Sequence, residues 1–424
     1  MKTKAITLLA SIVASASLSA VTITNTVTNP PVYLAGSTAF GPLDHTALVA
    51  YAATNRYTLI ASTGSADPVK AKALLYKKLT TNQVSPTKVT VTEDTINIHV
   101  TGSEIAIAAA AGNAGIPFLN NNSVGLNQAD SPATYGNTNK PSVLTSPAWQ
   151  ATSRYRKGKY QGVAYKALNE IAPAGKAGIA AQIWGWSASP NFPTNGLNIT
   201  DQTARKILRD GHAPLSYFTG IPADATNGVW LVGRDIDAGA RVIVLAEAGH
   251  GVLTDVKQYR VNASGGVVTS LSLEAATTNG AGIPSPIGGG GYSSASTQLA
   301  ALTNSIPAIL QVDGAPSPYA GKNYLVQYNA HAQNINANVK TLAYNGVLPS
   351  YNAVSSGGYS LWSYEHIYLA PKASVTASNI AQFEADYISG LSSSSMQSSA
   401  GAGYLNIDDL LIKRSVDAGT INVK

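Results

Sequence analysis

The chain has 424 residues, of which 12% are charged and 45% hydrophobic, and it contains no cysteine. Because about a quarter of an ordinary soluble domain is charged, this composition excludes a disordered polyelectrolyte and a strongly basic nucleic-acid binder. The absence of cysteine excludes disulfides, thiolate metal sites and cysteine nucleophiles. The length exceeds what one hydrophobic core ordinarily serves, so we expect two lobes.

The first nineteen residues have the layout of a secretory signal peptide. Lys2 and Lys4 precede an apolar run over 5–14, and small residues follow up to Ala20. The apolar run is too short to span a bilayer, and no cysteine follows it to accept a lipid. We therefore expect a periplasmic or secreted protein with no lipid anchor and no transmembrane helix.

Strands alternate with helices through most of the chain, which predicts an α/β fold. In three strand-loop-helix units the loop contains glycine together with a hydroxyl or an arginine. The strands and helices of these units are predicted over 32–35 and 43–53, over 96–101 and 104–111, and over 229–232 and about 241–248. In the second strand Ile96, Ile98 and Val100 alternate with polar residues, which predicts one buried face.

Each of the three units brings the N-terminus of a helix to the carboxyl end of a strand. Free N–H groups and the positive end of the helix dipole make such a position suitable for an anion, and open α/β sheets bind ligands at this edge. For any single unit, an ordinary serine or threonine N-cap is the simpler interpretation. Three units in one chain favour a shared anion site.

An ordered series of motifs resembles those of the phosphate-binding proteins of ABC transporters, which are type 2 periplasmic binding proteins. The motifs are Ala35-Gly36-Ser37-Thr38 with Pro42-Leu43, Thr101-Gly102-Ser103, the segment 124–132, the segment 197–211, Val232-Gly233-Arg234-Asp235 through Arg241, Tyr344-Asn345-Gly346-Val347, and the segment 359–366. They cover most of the chain after the first nineteen residues.

The resemblance implies a two-lobed α/β fold with two crossing strands as hinge, near Ala181–Ser187 and Tyr324–Tyr328. Lobe 1 would comprise residues 20–182 and 328–424, and lobe 2 residues 183–327, after a signal peptide over 1–19. It implies capture of phosphate or a similar oxyanion between the lobes, with no metal, no cofactor and no catalysis. The implied partners are the anion and an ABC transporter membrane component, and not nucleic acid.

The resemblance also implies a set of ligand contacts. Thr38 would donate its hydroxyl, Arg234 would grip two oxygens of the anion, and Asp130 would accept the proton of a monohydrogen phosphate. The complete set of implied contact residues is Ser37, Thr38, Ala39, Ser103, Asp130, Arg234, Ala238, Gly239 and Ala240.

The third loop departs from the family pattern. The family has Ser-Gly-Thr where this chain has Ala238-Gly239-Ala240, so two hydroxyl donors are missing, each worth about 1.5–3 kcal/mol to a charged partner. Asp237 stands where the family usually has glycine. On one interpretation, its carboxylate accepts from the N–H groups of Gly239 and Ala240 and fills the site with its own charge. On the other, which we favour, the other two loops with Arg234 and Asp130 still bind an oxyanion.

Other motifs favour simpler interpretations. The basic, aromatic-interleaved run 154–160 is expected to be a solvated loop or a docking segment for a partner protein. Glu104, beside Ser103, is expected to interact with the helix dipole. The six histidines form no metal-ligand pattern, and no serine-nucleophile elbow or phosphate-binding loop is present.

Two rival functions stay open. The departing third loop and the charge-poor surface suit a structural or surface protein that keeps the fold, has lost the anion site and assembles with copies of itself. The other rival is an exported hydrolase on the same fold, although no residues of the sequence nominate a catalytic pair.

Overall fold

The computed structural model describes residues 22–28, 30–37, 39, 41–85, 88–112, 114–131, 133–173, 175–274, 290–334, 338–371, 378–393 and 404–424. The predicted signal peptide and Thr38 lie outside the described residues. Among the helices that the structure describes, none is both long and apolar enough to cross a membrane.

The described helices alternate with strands along the chain. The helices are α1 Gly41–Thr54, α2 Ser103–Ala111, α3 Asp201–Asp210, α4 Ser216–Thr219, α5 Gly239–Glu247, α6 Ala295–Leu302, α7 His331–Asn334, α8 Tyr351–Ser355 and α9 Ser378–Leu391. Short 3-10 turns occur at Thr194–Gly196, Pro222–Thr226 and Ile407–Asp409.

The strands are short except for one long hairpin. They are β1 Thr22–Thr28, β2 Val32–Ala35, β3 Thr58–Thr63, β4 Ala73–Ser85, β5 Lys88–His99, β6 Ile116–Leu119, β7 Gly125–Gln128, β8 Tyr135–Asn139, β9 Val143–Ser146, β10 Gly158–Tyr160, β11 Val163–Tyr165, β12 Asn169–Ile171, β13 Ala180–Ala188, β14 Asn198–Ile199, β15 His212–Pro214, β16 Gly228–Leu231, β17 Tyr259–Ser264, β18 Val267–Leu273, β19 Gln311–Val312, β20 Ala315–Pro316, β21 Asn323–Ala330, β22 Lys340–Tyr344, β23 Trp362–Leu369, β24 Tyr404–Leu405, β25 Ile412–Lys413 and β26 Asn422–Val423.

A large mixed sheet organises the fold. Its principal strand order is β15-β16-β21-β13-β23-β9-β2-β5-β4-β3-β7. Strand β2 runs parallel to β5 and β9, and β16 runs parallel to β21, whereas β13 is antiparallel to both of its neighbours. The predicted α/β class is confirmed.

Strand β13 connects the two halves of this sheet. Its residues Ala180–Ile183 pair with β23, and its residues from Trp184 onward pair with β21 and β22. All nine of its residues are buried. The predicted crossing segments lie within β13 and β21, while the division into two lobes stays a prediction.

The three predicted strand-loop-helix units are β2-α1, β5-α2 and β16-α5. Helix α5 begins at Gly239, two residues earlier than predicted. The prediction that β5 has one buried face is wrong, because Asn97 and His99 are buried as well. The Asn97 side-chain amide donates to the Leu119 carbonyl at 2.7 Å, and His99 Nδ1 lies 2.6 Å from the Pro117 carbonyl oxygen. These hydrogen bonds satisfy the polar side chains on the second buried face of β5.

Helix α2 lies inside the molecule. All nine of its residues are buried, including Ser103 and Glu104 at its start. Its alanines and isoleucines pack against residues of β6, β9 and β11 in a hydrophobic cluster of their own. A helix that is apolar on every side is stable only when it is covered on every side. In α2 this coverage extends to the polar residues of the N-terminal turn, which are buried as well.

Candidate functional site

The loops of the three units meet at Gly102. The Gly102 N–H donates to the Gly36 carbonyl at 3.0 Å, and the Glu104 N–H donates to the Asp237 carbonyl at 3.2 Å. Gly102 has φ of 125°, and a Cβ placed on it would lie 2.7 Å from the Asp237 carbonyl oxygen. Only glycine permits this approach, so the loops after β2, β5 and β16 converge as the sequence predicts.

Helices α2 and α5 start side by side and no side chain caps either of them. A Cβ on Gly239 would lie 2.5 Å from the Ser103 hydroxyl oxygen, which places the first residues of the two helices in contact. Among the described residues that hydroxyl has no hydrogen-bond partner. The positive ends of two helix dipoles therefore flank a buried, unsatisfied hydroxyl group.

Asp237 does not fill this site by capping α5. The N-cap residue is Ala238, and the helix start has no side-chain hydrogen bond. The carboxyl of Asp235 instead accepts from the backbone N–H groups of Asp237 and Ala238. Burial raises the pKa of Asp235, against the opposing effect of Arg234 and Arg241. The N-cap residue therefore provides no side-chain cap to α5.

The expectation that the run 154–160 is a solvated loop or a docking segment is wrong for Arg154, which is buried. It is 1% exposed, and none of its guanidinium nitrogens has a hydrogen-bond partner among the described residues. Its backbone N–H and the Ser153 hydroxyl donate to Glu104 Oε2, at 3.2 and 3.0 Å. Arg156, two residues farther along the chain, is exposed, and no local pattern in the run 154–160 distinguishes the two arginines.

A second buried arginine belongs to the same electrostatic cluster. Arg241, on the first turn of α5, donates from Nη1 to the Arg234 carbonyl at 3.2 Å. Burial lowers the pKa of Arg241 to about 10, and the positive charge of Arg154 contributes to that decrease. The negative charges of Asp235 and Asp237 oppose this decrease, so basic and acidic groups lie together at the helix starts.

Glu104 is the carboxyl group at this junction. Burial raises its pKa to about 7, although the charge of Arg154 and the hydroxyl of Ser153 oppose the change. Its Oε1 atom has no hydrogen-bond partner within the described part of the chain. Glu104 is therefore more than a dipole partner, because its charge changes near neutral pH.

The structure gives Arg234 a packing role. Its guanidinium donates to the Tyr292 carbonyl at 3.0 Å, the Asn329 Oδ1 atom at 3.0 Å and the Ser293 carbonyl at 3.1 Å. The side chain is 2% exposed. These bonds hold the segment before α6 against β21 and use the Nε, Nη1 and Nη2 groups that the resemblance assigns to the anion.

Asp130 is engaged away from Gly102. Its carboxylate accepts from Lys72 and from the Tyr135 hydroxyl. Burial raises the pKa of Asp130, but these two hydrogen bonds outweigh it and the net shift is downward. Neither partner belongs to the three converging loops, and the carboxylate is already paired with a cation.

The remaining predicted contacts line the first and third loops. Ser37 and Ala39 are buried, and the Ala39 N–H donates to the Ser37 hydroxyl oxygen at 3.2 Å. Ala238, Gly239 and Ala240 are buried at the start of α5. Within the described residues, no group of three or more histidines and carboxylates is placed to hold a metal ion.

No family model matches this sequence, and no curated protein matches it. Several solved structures have a similar course of the chain. One is a Clostridium perfringens protein described as a phosphate ABC transporter substrate-binding protein with bound phosphate. It has 12% identity and a TM-score of 0.42, over 89% of this chain and 99% of that one. An ABC-type phosphate transport receptor from Vibrio cholerae has 10% identity and a TM-score of 0.42, over 88% of this chain and 99% of that one. PstS from Borrelia burgdorferi has 12% identity and a TM-score of 0.37, over 89% and 99%. These proteins are of the kind that the sequence motifs resemble, and similarity at this level says nothing about the ligand of the present chain.

The convergence of the loops predicts a specific cost for Gly102→Ala. The methyl group would meet the Asp237 carbonyl at 2.7 Å in a backbone conformation that side chains avoid, so we expect a loss of about 1–3 kcal/mol in the free energy of unfolding. Gly125→Ala is the matched control, because its φ is 114° but nothing lies within 4 Å of the new Cβ. Denaturant unfolding measures both variants, and equal losses would contradict the role of the carbonyl contact.

Proposed function

We propose that this chain binds phosphate or a similar tetrahedral oxyanion, as an exported solute-binding protein for ABC-type uptake. The observation that carries the proposal is the guanidinium of Arg154, which is buried without a hydrogen-bond partner among the described residues. Its charge acts on Glu104 at the start of α2 and on Arg241 at the start of α5. Glu104 is a weak ionic partner for Arg154, because burial raises its pKa to about 7, and an oxyanion at the helix starts would satisfy the guanidinium N–H groups.

The donors around this position suit a tetrahedral anion. A guanidinium offers parallel N–H groups that grip two oxygens, and the Ser103 hydroxyl offers another donor. The uncapped N–H groups of Gly239 and Ala240 would add backbone donors. Hydrogen bonds to a charged partner are worth about 1.5–3 kcal/mol each, so Arg154 can offset the two hydroxyl groups that the third loop lacks.

The wider proposal keeps the predicted organisation. Lobe 1 would comprise residues 20–182 and 328–424 and lobe 2 residues 183–327, closing on the anion about β13 and β21. The change of partners along β13, from β23 to β21 and β22, supports a crossing at this strand. Export is supported by the pattern of the first nineteen residues, and the transporter partner by the motif resemblance.

Titration of Arg154→Gln tests the site. We expect the wild-type protein to release or absorb heat with phosphate or sulfate, and the variant to bind about 10- to 100-fold more weakly, because it loses one charge-assisted contact. Arg156→Gln is the control, since it removes an exposed arginine from the same run and should leave the affinity unchanged.

The titration also distinguishes the rivals. Absence of heat and of a melting shift for the wild type at millimolar phosphate and sulfate would overturn the proposal. Sedimentation that shows self-association would then favour the assembly protein. Phosphate release from a model ester would favour the hydrolase.

The charge of Glu104 predicts a pH dependence for sulfate, whose own charge is constant. Because the pKa of Glu104 is raised to about 7, the carboxyl is neutral below that pH and repels the anion above it. The sulfate association constant should fall up to about tenfold per pH unit above pH 7. Glu104→Gln should bind sulfate with little pH dependence, and calorimetry from pH 6 to 9 measures both proteins. A flat wild-type profile would contradict this role of Glu104.

A further inference from the structure

A pair of acidic side chains lies beneath the first loop, which is the loop after β2, and outside the candidate anion site. Asp44 is on the first turn of α1 and Glu365 is in the middle of β23. Both residues are completely buried. Buried carboxyl groups are uncommon unless they are paired with a cation, so these two require a physical account.

The strand register places Glu365 among polar neighbours on one face of the sheet. On one side Gln182 of β13 is opposite Ser363, and on the other side Thr145 of β9 is opposite Ile367. Because alternate residues share a face, Gln182 and Thr145 are the diagonal neighbours of Glu365 on the face that α1 covers.

Hydrogen bonds connect this face to Asp44 but leave Glu365 unsatisfied. The Thr145 hydroxyl donates to Asp44 Oδ2 at 2.7 Å, and the Tyr387 hydroxyl lies 3.3 Å from Asp44 Oδ1. Within the described residues, neither carboxyl oxygen of Glu365 has a hydrogen-bond partner of good geometry, although Thr145 is close enough to oppose the rise in the pKa of Glu365. The side-chain oxygen of Gln182 has no partner there either.

No basic side chain among the described residues acts on this pair. The titratable groups that face it are the hydroxyls of Tyr387 on α9 and Tyr404 on β24, and the negative charges of the pair raise the pKa of both beyond the effect of burial. His45, the next residue on α1, lies against the backbone of Pro68 and Val69 instead.

Two carboxylates in this position cannot both keep their charge at low cost. Removing an ion from water costs several kcal/mol even after relaxation, and no opposite charge offsets it here. Burial raises the pKa of Asp44 to about 7, with Thr145 and Tyr387 opposing the change. Burial, together with the charge of Asp44, raises the pKa of Glu365 well above its ordinary value. The pair therefore holds protons where isolated carboxyl groups would have lost them.

The same groups support the first loop. A Cβ on Gly36 would lie 2.2 Å from the Thr145 hydroxyl oxygen and 2.9 Å from Asp44 Oδ2, so the loop backbone rests on Thr145 and on Asp44, one member of the acidic pair. The Ala39 carbonyl accepts from Gln182 Nε2 at 3.3 Å and from the Tyr404 hydroxyl at 2.8 Å.

We propose that Asp44 and Glu365 form a proton-dependent switch that holds the first loop and the start of α1 in place. With both carboxyl groups protonated, the pair is neutral and can stay buried beneath the loop. Loss of one proton leaves a buried negative charge without a cation, which favours opening of α1 and the loop toward water. This inference does not depend on the proposed anion-binding function.

The pH dependence of stability tests the switch. Because the pKa of Asp44 is raised from 3.8 to about 7 on folding, the folded state binds a proton that the unfolded state releases. The contribution is therefore complete below about pH 4, and the folding equilibrium constant should fall by up to about tenfold per pH unit, for each proton, as pH rises toward 7. Glu365→Gln and Asp44→Asn should each show a shallower fall than the wild type between pH 4.5 and 7.

Comparison between variants isolates this pair from other buried acids. Glu104 and Asp417, whose pKa values are also raised by burial, contribute equally to all of these proteins. Glu93→Gln is the control, because Glu93 already has Lys77 as an ionic partner at 2.7 Å and its loss should leave the slope in this window unchanged. Slopes for Glu365→Gln and Asp44→Asn that equal the wild-type slope would overturn the proposal.

A measurement on the wild type keeps the test decisive if the variants do not fold. Amide hydrogen exchange, corrected for its intrinsic pH dependence, should show protection over 41–48 decreasing between pH 5 and 8 relative to α3. The helix α3 is the internal reference because it lies outside this cluster and has its own side-chain cap, Thr200. A constant ratio of protection between α1 and α3 would also overturn the switch.

Discussion

The close approach of three loops at Gly102 is the constraint on which the candidate site depends. Two backbone hydrogen bonds, from Gly102 to Gly36 and from Glu104 to Asp237, join loops that are far apart in the sequence. Because a side chain at Gly102 would prevent the contact, the polar starts of α2 and α5 are brought together inside the protein. The same junction holds Glu104, whose carboxyl accepts from Ser153 and from the backbone of Arg154.

Burial acts differently on the basic and the acidic groups of this interior. An arginine retains its charge under nearly all conditions, so Arg241 stays a cation beside Asp235 and Asp237 where α5 begins. Carboxyl groups respond by keeping protons, as the raised pKa values of Glu104 and Asp44 indicate. In this chain, with only 12% charged residues, the buried arginines thus keep their charge at neutral pH, whereas the protonation of the buried carboxyl groups changes with pH.

Local patterns in the sequence were sufficient to predict the helices and strands of the three units. They were insufficient to predict which residues single side chains contact. The alternation of apolar residues and the glycines after the strands predicted the units β2-α1, β5-α2 and β16-α5. Arg154 could not be found in this way, because only tertiary contacts with Glu104 distinguish it from its exposed neighbour Arg156. The engagement of Asp130 by Lys72, 58 positions away, is equally invisible in local sequence.

The tryptophans of β13 have an optical consequence. Trp184 donates from its indole N–H to the Ser363 hydroxyl on β23 at 2.8 Å, whereas Trp186 packs edge-on against Tyr328 of β21 with ring centroids 5.3 Å apart. Two fluorophores separated by one residue therefore contact different neighbouring strands, β23 and β21, of the strand that joins the halves of the sheet. A displacement between those halves would change the surroundings of Trp184 and Trp186, and with them the tryptophan emission of the unlabelled protein.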